Sequence, residues 1–236
     1  MMDSKYFKHK QFEGDFILLS VRWYLKYTLS SRDLKDIMLE RGYKVCHSTI
    51  IRWVHEYSPL IAQKVKKHLK LTNDSWRVDE TYIKAKGEWK YLYRAVDFNG
   101  ETIDFLLTAK RDKKAAKRFF NKILKSTNSV IPRVITLDKS GANLSAIKEI
   151  KRENDTAIKD VEIRQIKYLN NIIEQDHRFI KKKVKSTLEF KTFNSAKRII
   201  SGIETMNMLR KKQVDGLDRN ALLECKFINK LFGINA

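Results

Sequence analysis

Three carboxylates stand where the pattern of the chain would bring them together. Asp79 lies inside the strand-like run Arg77-Val-Asp-Glu-Thr81, Asp138 ends the apolar run Val134-Ile-Thr-Leu-Asp138, and Glu174 falls at the start of the helical stretch Asn171-Ile-Ile-Glu-Gln-Asp-His-Arg178. Convergent carboxylates repel one another, and that repulsion costs stability unless a cation neutralises it. Hard oxygen donors select Mg2+ or Mn2+. Two such ions held about 3.5–4 Å apart activate an attacking oxygen and stabilise a leaving oxygen in phosphodiester cleavage. Each acid also has a plainer use when taken alone. Asp79 would pair with a lysine on the sheet, as Asp97 and Asp104 would; Asp138 would cap the next helix; Glu174 would be solvated.

The stretch around Glu174 carries more than the acid. At about 100° per residue, Glu174, His177, Arg178 and Lys181 fall on one face, and Ile172, Ile173, Phe179 and Ile180 fall opposite. The acid therefore shares a stripe with three candidate phosphate contacts, His177, Arg178 and Lys181, while the apolar side docks on a sheet. Asn170 or Asn171 caps this helix.

The elements that position these acids follow from texture. Trp76–Lys84, Trp89–Asp97 and Thr102–Thr108 are rich in β-branched and aromatic residues. Lys-Gly-Glu and Phe98-Asn-Gly-Glu101 separate them, so three antiparallel strands follow one another as a meander. Asp112–Ser126 is helical, with Ala115, Phe119 and Ile123 inside. A short strand ends at Asp138, a helix spans about Ala142–Glu153, a strand covers Val161–Ile166, and the Glu174 helix follows. A long helix over about Asn194–Lys211 closes the series. The order βββαβαβα is the chain path of the ribonuclease-H-like fold, an α/β arrangement with a mixed sheet in which the first and fourth strands are neighbours. Asp79 and Asp138 then lie side by side.

The first sixty residues read as helices. Asp15 caps one running to Tyr27, Ser30 or Ser31 opens a second that Gly42 stops, and His47 or Ser48 starts a third that Pro59 ends. This is helix-turn-helix order. Ile50, Val54 and Tyr57 share the inner face of the third helix, leaving Ser48, Arg52 and His55 to read a DNA groove. The division expected is a helix-turn-helix domain over 1–60, a basic linker over 61–75, a catalytic domain over 76–212, and a C-terminal tail over 213–236 with no assigned role.

Composition agrees with a polyanion partner. Lys plus Arg number 49 against 28 Asp plus Glu, a net charge of +21 in 236 residues. Such a surplus favours nucleic acid over an acidic membrane surface. The most apolar run, Phe16–Leu25, is about half a bilayer span and contains Arg22. No basic, apolar, small-residue leader precedes it, so a cytoplasmic, nucleoid-associated protein is expected. Cys46 and Cys225 form no metal-ligand spacing with the histidines and are expected to be free thiols.

Three blocks carry a resemblance: Asp79-Glu-Thr-Tyr-Ile-Lys, then Gly87-Glu-Trp-Lys-Tyr-Leu-Tyr-Arg-Ala-Val-Asp97, and Lys167-Tyr-Leu-Asn-Asn-Ile-Ile-Glu-Gln-Asp-His-Arg-Phe-Ile-Lys181. His47-Ser-Thr-Ile-Ile-Arg-Trp-Val54 and Gly202-Ile-Glu204 add to it. They resemble bacterial insertion-sequence transposases of the Asp-Asp-Glu class, in the insertion sequence six family. The resemblance implies a triad of Asp79, Asp138 and Glu174, with 35 residues between the last two, and Lys181 as the basic residue near DNA. It also implies binding of terminal inverted repeats through the helix-turn-helix, and Mg2+-dependent (or Mn2+-dependent) cleavage and joining of 3′-hydroxyls to target DNA in replicative, cointegrate-forming transposition. Pairing two element ends calls for a homodimer or larger. The block Lys139-Ser-Gly-Ala-Asn143 is less uniform among such relatives than the other blocks are. Two other readings of the same features are a non-catalytic DNA-binding repressor and a nuclease for RNA–DNA hybrids.

Overall fold

The alternating run from Ser75 to Thr108 folds as the expected meander of β1 (Ser75–Ala85), β2 (Glu88–Asp97) and β3 (Thr102–Thr108). Lys86 and Gly87, at φ 52° and 75°, close the first hairpin in two residues. Positive φ at both positions matches the twist of the flanking strands. The second connection turns through Gly100 at φ 79°. There the buried Asp97 carboxylate accepts the backbone N–H groups of Asn73, Asn99 and Glu101. This is a computed structural model, and it describes residues 5–126, 128–138, 141–153, 158–166, 171–186 and 190–234.

Helix α4 (Lys113–Leu124) starts at Asp112, whose carboxylate accepts the Ala115 N–H at 2.7 Å. Then come β4 (Val134–Leu137), α5 (Gly141–Glu153), β5 (Glu162–Arg164) and α6 (Asn171–Ser186). β5 is shorter than the expected Val161–Ile166. The expected cap Asn170, and Lys139 and Ser140, lie outside the described residues. The sheet order is β3-β2-β1-β4-β5, antiparallel through the meander and parallel from β1 to β4 to β5. This mixed sheet with flanking helices is the ribonuclease-H-like arrangement. One of its faces packs Trp76, Val78, Tyr93, Ile135 and Leu137 against Ala115, Phe119, Phe120 and Ile123 of α4 and Ala146, Ile147 and Ile150 of α5.

By contacts, residues 70–181 form one unit, and residues 1–69 with 182–236 form another. The second unit is helical: α1 (Gly14–Lys26), α2 (Ser31–Glu40), α3 (His47–Lys66), α7 (Phe193–Arg210) and α8 (Ala221–Leu231). Ser30 caps α2 in a reciprocal capping box with Asp33, which satisfies two N–H groups that have no partner within the helix. The cap of α1 is Glu13 rather than Asp15, which sits in the first turn and accepts from its neighbour Phe16.

α3 passes through Pro59 instead of ending there. A helix-interior proline costs about 3 kcal/mol. The buried stripe continues beyond it through Ile61 and Val65, exposed to only 0% and 1%, and that burial outweighs the lost hydrogen bond. Residues 61–66, expected as linker, are therefore helical. α7, expected with the sheet, packs on α1 and α3, with Gly202 against Leu25 and Ser58. In the tail, α8 packs on α1 and α3. There the buried Glu224 pairs with Arg22 at 2.8 Å and also with Lys26.

Candidate active site

β1 and β4 run parallel with Val78 opposite Leu137. Asp79 is the next residue of β1 and Asp138 the first beyond β4, so the two acids stand at the same step along the sheet. Strand alternation turns Asp79 to the α6 side and Glu80 to the side of α4 and α5. Carboxylate oxygens of Asp79, Glu80 and Asp138 lie within 4.8 Å of one another. Glu174 lies in the first turn of α6, exposed, and lines an open pocket of about 590 Å³ together with Asp79, Glu80, His177, Arg178 and Lys181. Burial pushes the Asp79 carboxyl up to about 7, and the charges of Glu80, Asp138 and Glu174 add to the rise against a backbone hydrogen bond from Glu80. All of these residues belong to the 70–181 unit.

The α6 stripe differs from expectation in two residues. His177 is 4% exposed, with Nε2 3.5 Å from an Asp79 oxygen, so it backs the acid instead of facing DNA. Ile172 is on the outside at 37% exposure, while Ile173 and Ile180 are fully buried. The reason is angular: His177 lies about 40° from Ile173 around the helix and about 60° from Glu174, so it follows the apolar side. Glu174, Arg178 and Lys181, spaced i, i+4, i+7, form the exposed rim. Arg94, directly across the ladder from Asp79, pairs with Asp176 at 2.6 Å and holds α6 to the sheet.

A DDE-domain family model matches residues 73–213. A transposase for insertion sequence-like element IS431mec of Staphylococcus aureus is 41% identical over 228 residues, covering 95% of this chain and 97% of its own. The Staphylococcus aureus transposase for insertion sequence element IS257 in transposon Tn4003 is 40% identical over the same coverage. The chain belongs to the insertion sequence six family of Asp-Asp-Glu transposases. Among solved structures, the HTLV-2 integrase catalytic core aligns over 57% of this chain and 85% of its own, at 18% identity and TM-score 0.43.

Sequence reasoning missed three residues that shape this transposase-family site. Glu80 is the acid that completes the close group with Asp79 and Asp138. Arg111 pairs with Glu80 and reaches Asp138 at 3.5 Å. Asn143, fully buried in the first turn of α5, donates from Nδ2 to Glu80 at 2.9 Å and to Asp138 at 3.4 Å. The signal for Glu80 was present, since it adjoins Asp79; period-2 alternation, which sends neighbours to opposite faces, hid it. Arg111 and Asn143 carried no local signal, because only the packing of α4 and α5 on the sheet brings them to β1. The donor set fits a hard divalent cation: carboxylate oxygens alone, close enough to share an ion.

The other candidates sit in the helical unit. Ser48 and Arg52 are exposed on α3 and His55 is half-buried, with Ile50, Val54 and Tyr57 buried on the other side. The Ser48 hydroxyl lies 3.1 Å from the Cys46 thiol. Burial pushes the His55 imidazole down, and the charge of Arg198 adds to this. Cys46 and Cys225 are free. Among the described residues, no helix is long and apolar enough to cross a membrane.

Proposed function

We propose that the chain cleaves the ends of its insertion sequence and joins the freed 3′-hydroxyls to target DNA by metal-dependent phosphoryl transfer, in a replicative, cointegrate-forming reaction. The observation that carries this is the matched placement of Asp79 on β1 and Asp138 just past the end of the adjacent parallel β4, with Asp79 and Glu174 lining one pocket. Asp79, Asp138 and Glu174 are the catalytic carboxylates. They would hold Mg2+ or Mn2+ at a two-ion site, which when bound activates the attacking oxygen and stabilises charge on the leaving oxygen.

The chain's own residues do the rest. His177 and strand β1 fix the Asp79 carboxylate, and Arg111 and Asn143 hold Glu80 and Asp138 in place. Arg178 and Lys181, on the exposed rim, meet the phosphates on either side of the scissile bond, where cations offset the charge of the acids. In the helical unit, Ser48, Arg52 and His55 of α3 read the terminal inverted repeat in helix-turn-helix fashion, and two copies of the chain pair two element ends.

The test is a labelled terminal-repeat duplex incubated with the protein and Mg2+. Wild type is expected to nick the element end and join it to target DNA, and Asp138→Asn to do neither while still binding the repeat. If wild type neither nicks nor joins, or Asp138→Asn cuts as well as wild type, the proposal fails. Binding unaffected by Mg2+, without cleavage, would favour a repressor instead.

A further inference from the structure

The sheet face that carries Glu80 continues outward along the β1–β2 hairpin. On that face Tyr82 lies directly across from Tyr91, and Lys84 across from Trp89. The Tyr82 and Tyr91 rings meet edge to face at 5.4 Å between centroids, and Tyr82 and Trp89 do so at 6.3 Å. The core covers the inner part of this face. Its outer end is open: Tyr82 is 47% exposed and Trp89 59% exposed, while Ile83 and Ala85 on the opposite side of β1 are buried. Two large rings left exposed side by side, where Trp53 and Trp76 are buried, call for an occupant.

The charges around the rings choose among occupants. Lys84 shares that face, opposite Trp89, and Arg111 lies beside the Tyr82 hydroxyl, while Lys90, paired with Glu88, projects from the other side of the hairpin. Arg111 connects the rings to the acids: its Nη1 lies 3.4 Å from the Tyr82 hydroxyl and its Nη2 3.5 Å from an Asp138 oxygen. A single guanidinium thus separates the aromatic surface from the carboxylates. Aromatic faces interleaved with cations are the surface that unpaired nucleotides use, bases stacking on rings while phosphates meet Lys and Arg. A partner protein would find less here, because the cations would have to be desolvated against it.

We propose that Tyr82 and Trp89 form a stacking platform for unpaired bases of the DNA strand whose phosphate lies at the acidic site. This rests on the function proposed above, since that reading puts a strand end at Asp138. The platform holds bases displaced from the duplex next to the cut, so that the scissile phosphate is presented on a single strand.

The test measures binding of full-length protein in Ca2+ to two probes: a blunt terminal-repeat duplex, and the same duplex with a short unpaired 3′ extension containing 2-aminopurine. Wild type is expected to prefer the extended probe and to quench its fluorescence. Tyr82→Ala and Trp89→Ala should each lose about 5- to 150-fold on the extended probe, the range of one stacked base, with little change on the blunt one. Tyr82→Phe, which keeps the ring, should retain the preference. Variants that bind the extended probe like wild type, or lose equally on both probes, overturn the platform. So does a change confined to sedimentation mass, which would make the face a contact between copies. Nicking of the blunt repeat in Mg2+ reports separately on the proposed function: wild-type nicking without any preference for the extension sinks the platform alone.

Discussion

Asn143 is an amide buried between two carboxylates, donating to Glu80 and Asp138 from one nitrogen. Converting it to a third acid at that spot sets like charges against one another in a buried place, where only a cation relieves them. Asn143→Asp should therefore lose about 1–3 kcal/mol without divalent cation, and thermal unfolding with and without millimolar Mg2+ should show a larger metal-induced rise in Tm than wild type gives. No Mg2+-induced rise in either protein would mean that the acids do not hold a metal. Lys183, 1% exposed on α6, poses the opposite problem: its ammonium sits 4.4 Å over the Tyr24 ring and donates to the Leu29 carbonyl at 3.1 Å. Burial nonetheless pushes its pKa from 10.5 down to about 8, against the charge of Asp33. Below pH 8 the group is charged whether folded or unfolded, so its burial cost is fully present. Between pH 8 and 10.5 the unfolded chain binds more protons than the folded one, so stability from this residue rises with pH. The Tm of Lys183→Met minus that of wild type should accordingly fall across that window, with the measurement made at matched ionic strength.

At the scale of elements, α3 and α7 show where pattern was enough and where it was not. The inner stripe of α3 was legible because Ile50, Val54 and Tyr57 repeat at helical spacing, and all three are buried. The meander was legible because Gly87 and Gly100 stand at its turns. Asp79 and Asp138 could be placed together because parallel pairing of β1 and β4 follows from the order of elements. Helix length was not legible at Pro59, since a local breaker signal cannot report the tertiary burial of Ile61 and Val65. The partner of α7 was also hidden, since an apolar stripe says that something is covered but not by what. Gly202 marks that partner: a Cβ there would stand 2.6 Å from Leu25 and 2.9 Å from the Ser58 Cβ. The Leu25 branch can rotate, but the Ser58 Cβ belongs to a helix. Gly202→Ala should lower stability by about 1–3 kcal/mol through overpacking, read as a lower midpoint in urea with an unchanged slope. No loss would mean that α7 does not pack this closely.

For the whole molecule, the division by contacts makes the chain's two ends one folding unit. Residues 1–69 and 182–236 share it, and the acids belong to the other. The tail is integral: Phe232 packs on Tyr6, Phe7 and Tyr57, the Lys64 ammonium donates to the Leu231 carbonyl, and Glu224 neutralises Arg22 from 202 residues away. Arg22 and Glu224 are 3% and 1% exposed in their side chains. Removing one partner of a buried pair leaves the other charged and desolvated, at a cost of about 3–5 kcal/mol. Glu224→Ala should therefore lower the Tm sharply, and a double variant with Arg22→Met should recover part of the loss, because an apolar replacement removes the unpaired charge as well. A double variant no more stable than Glu224→Ala would refute the pairing. A chain ending at Val214 should lose more, uncovering the sides of α1 and α3 that α8 packs on and loosening the helix that carries Ser48, Arg52 and His55. Its expected signature is loss of sequence-selective binding to the terminal repeat while weak, salt-sensitive binding to any DNA survives, since phosphate contacts need charge but base contacts need a fixed helix. If the shortened chain still tells the repeat from random DNA, α8 is an appendage and the reading of both ends as one unit is wrong.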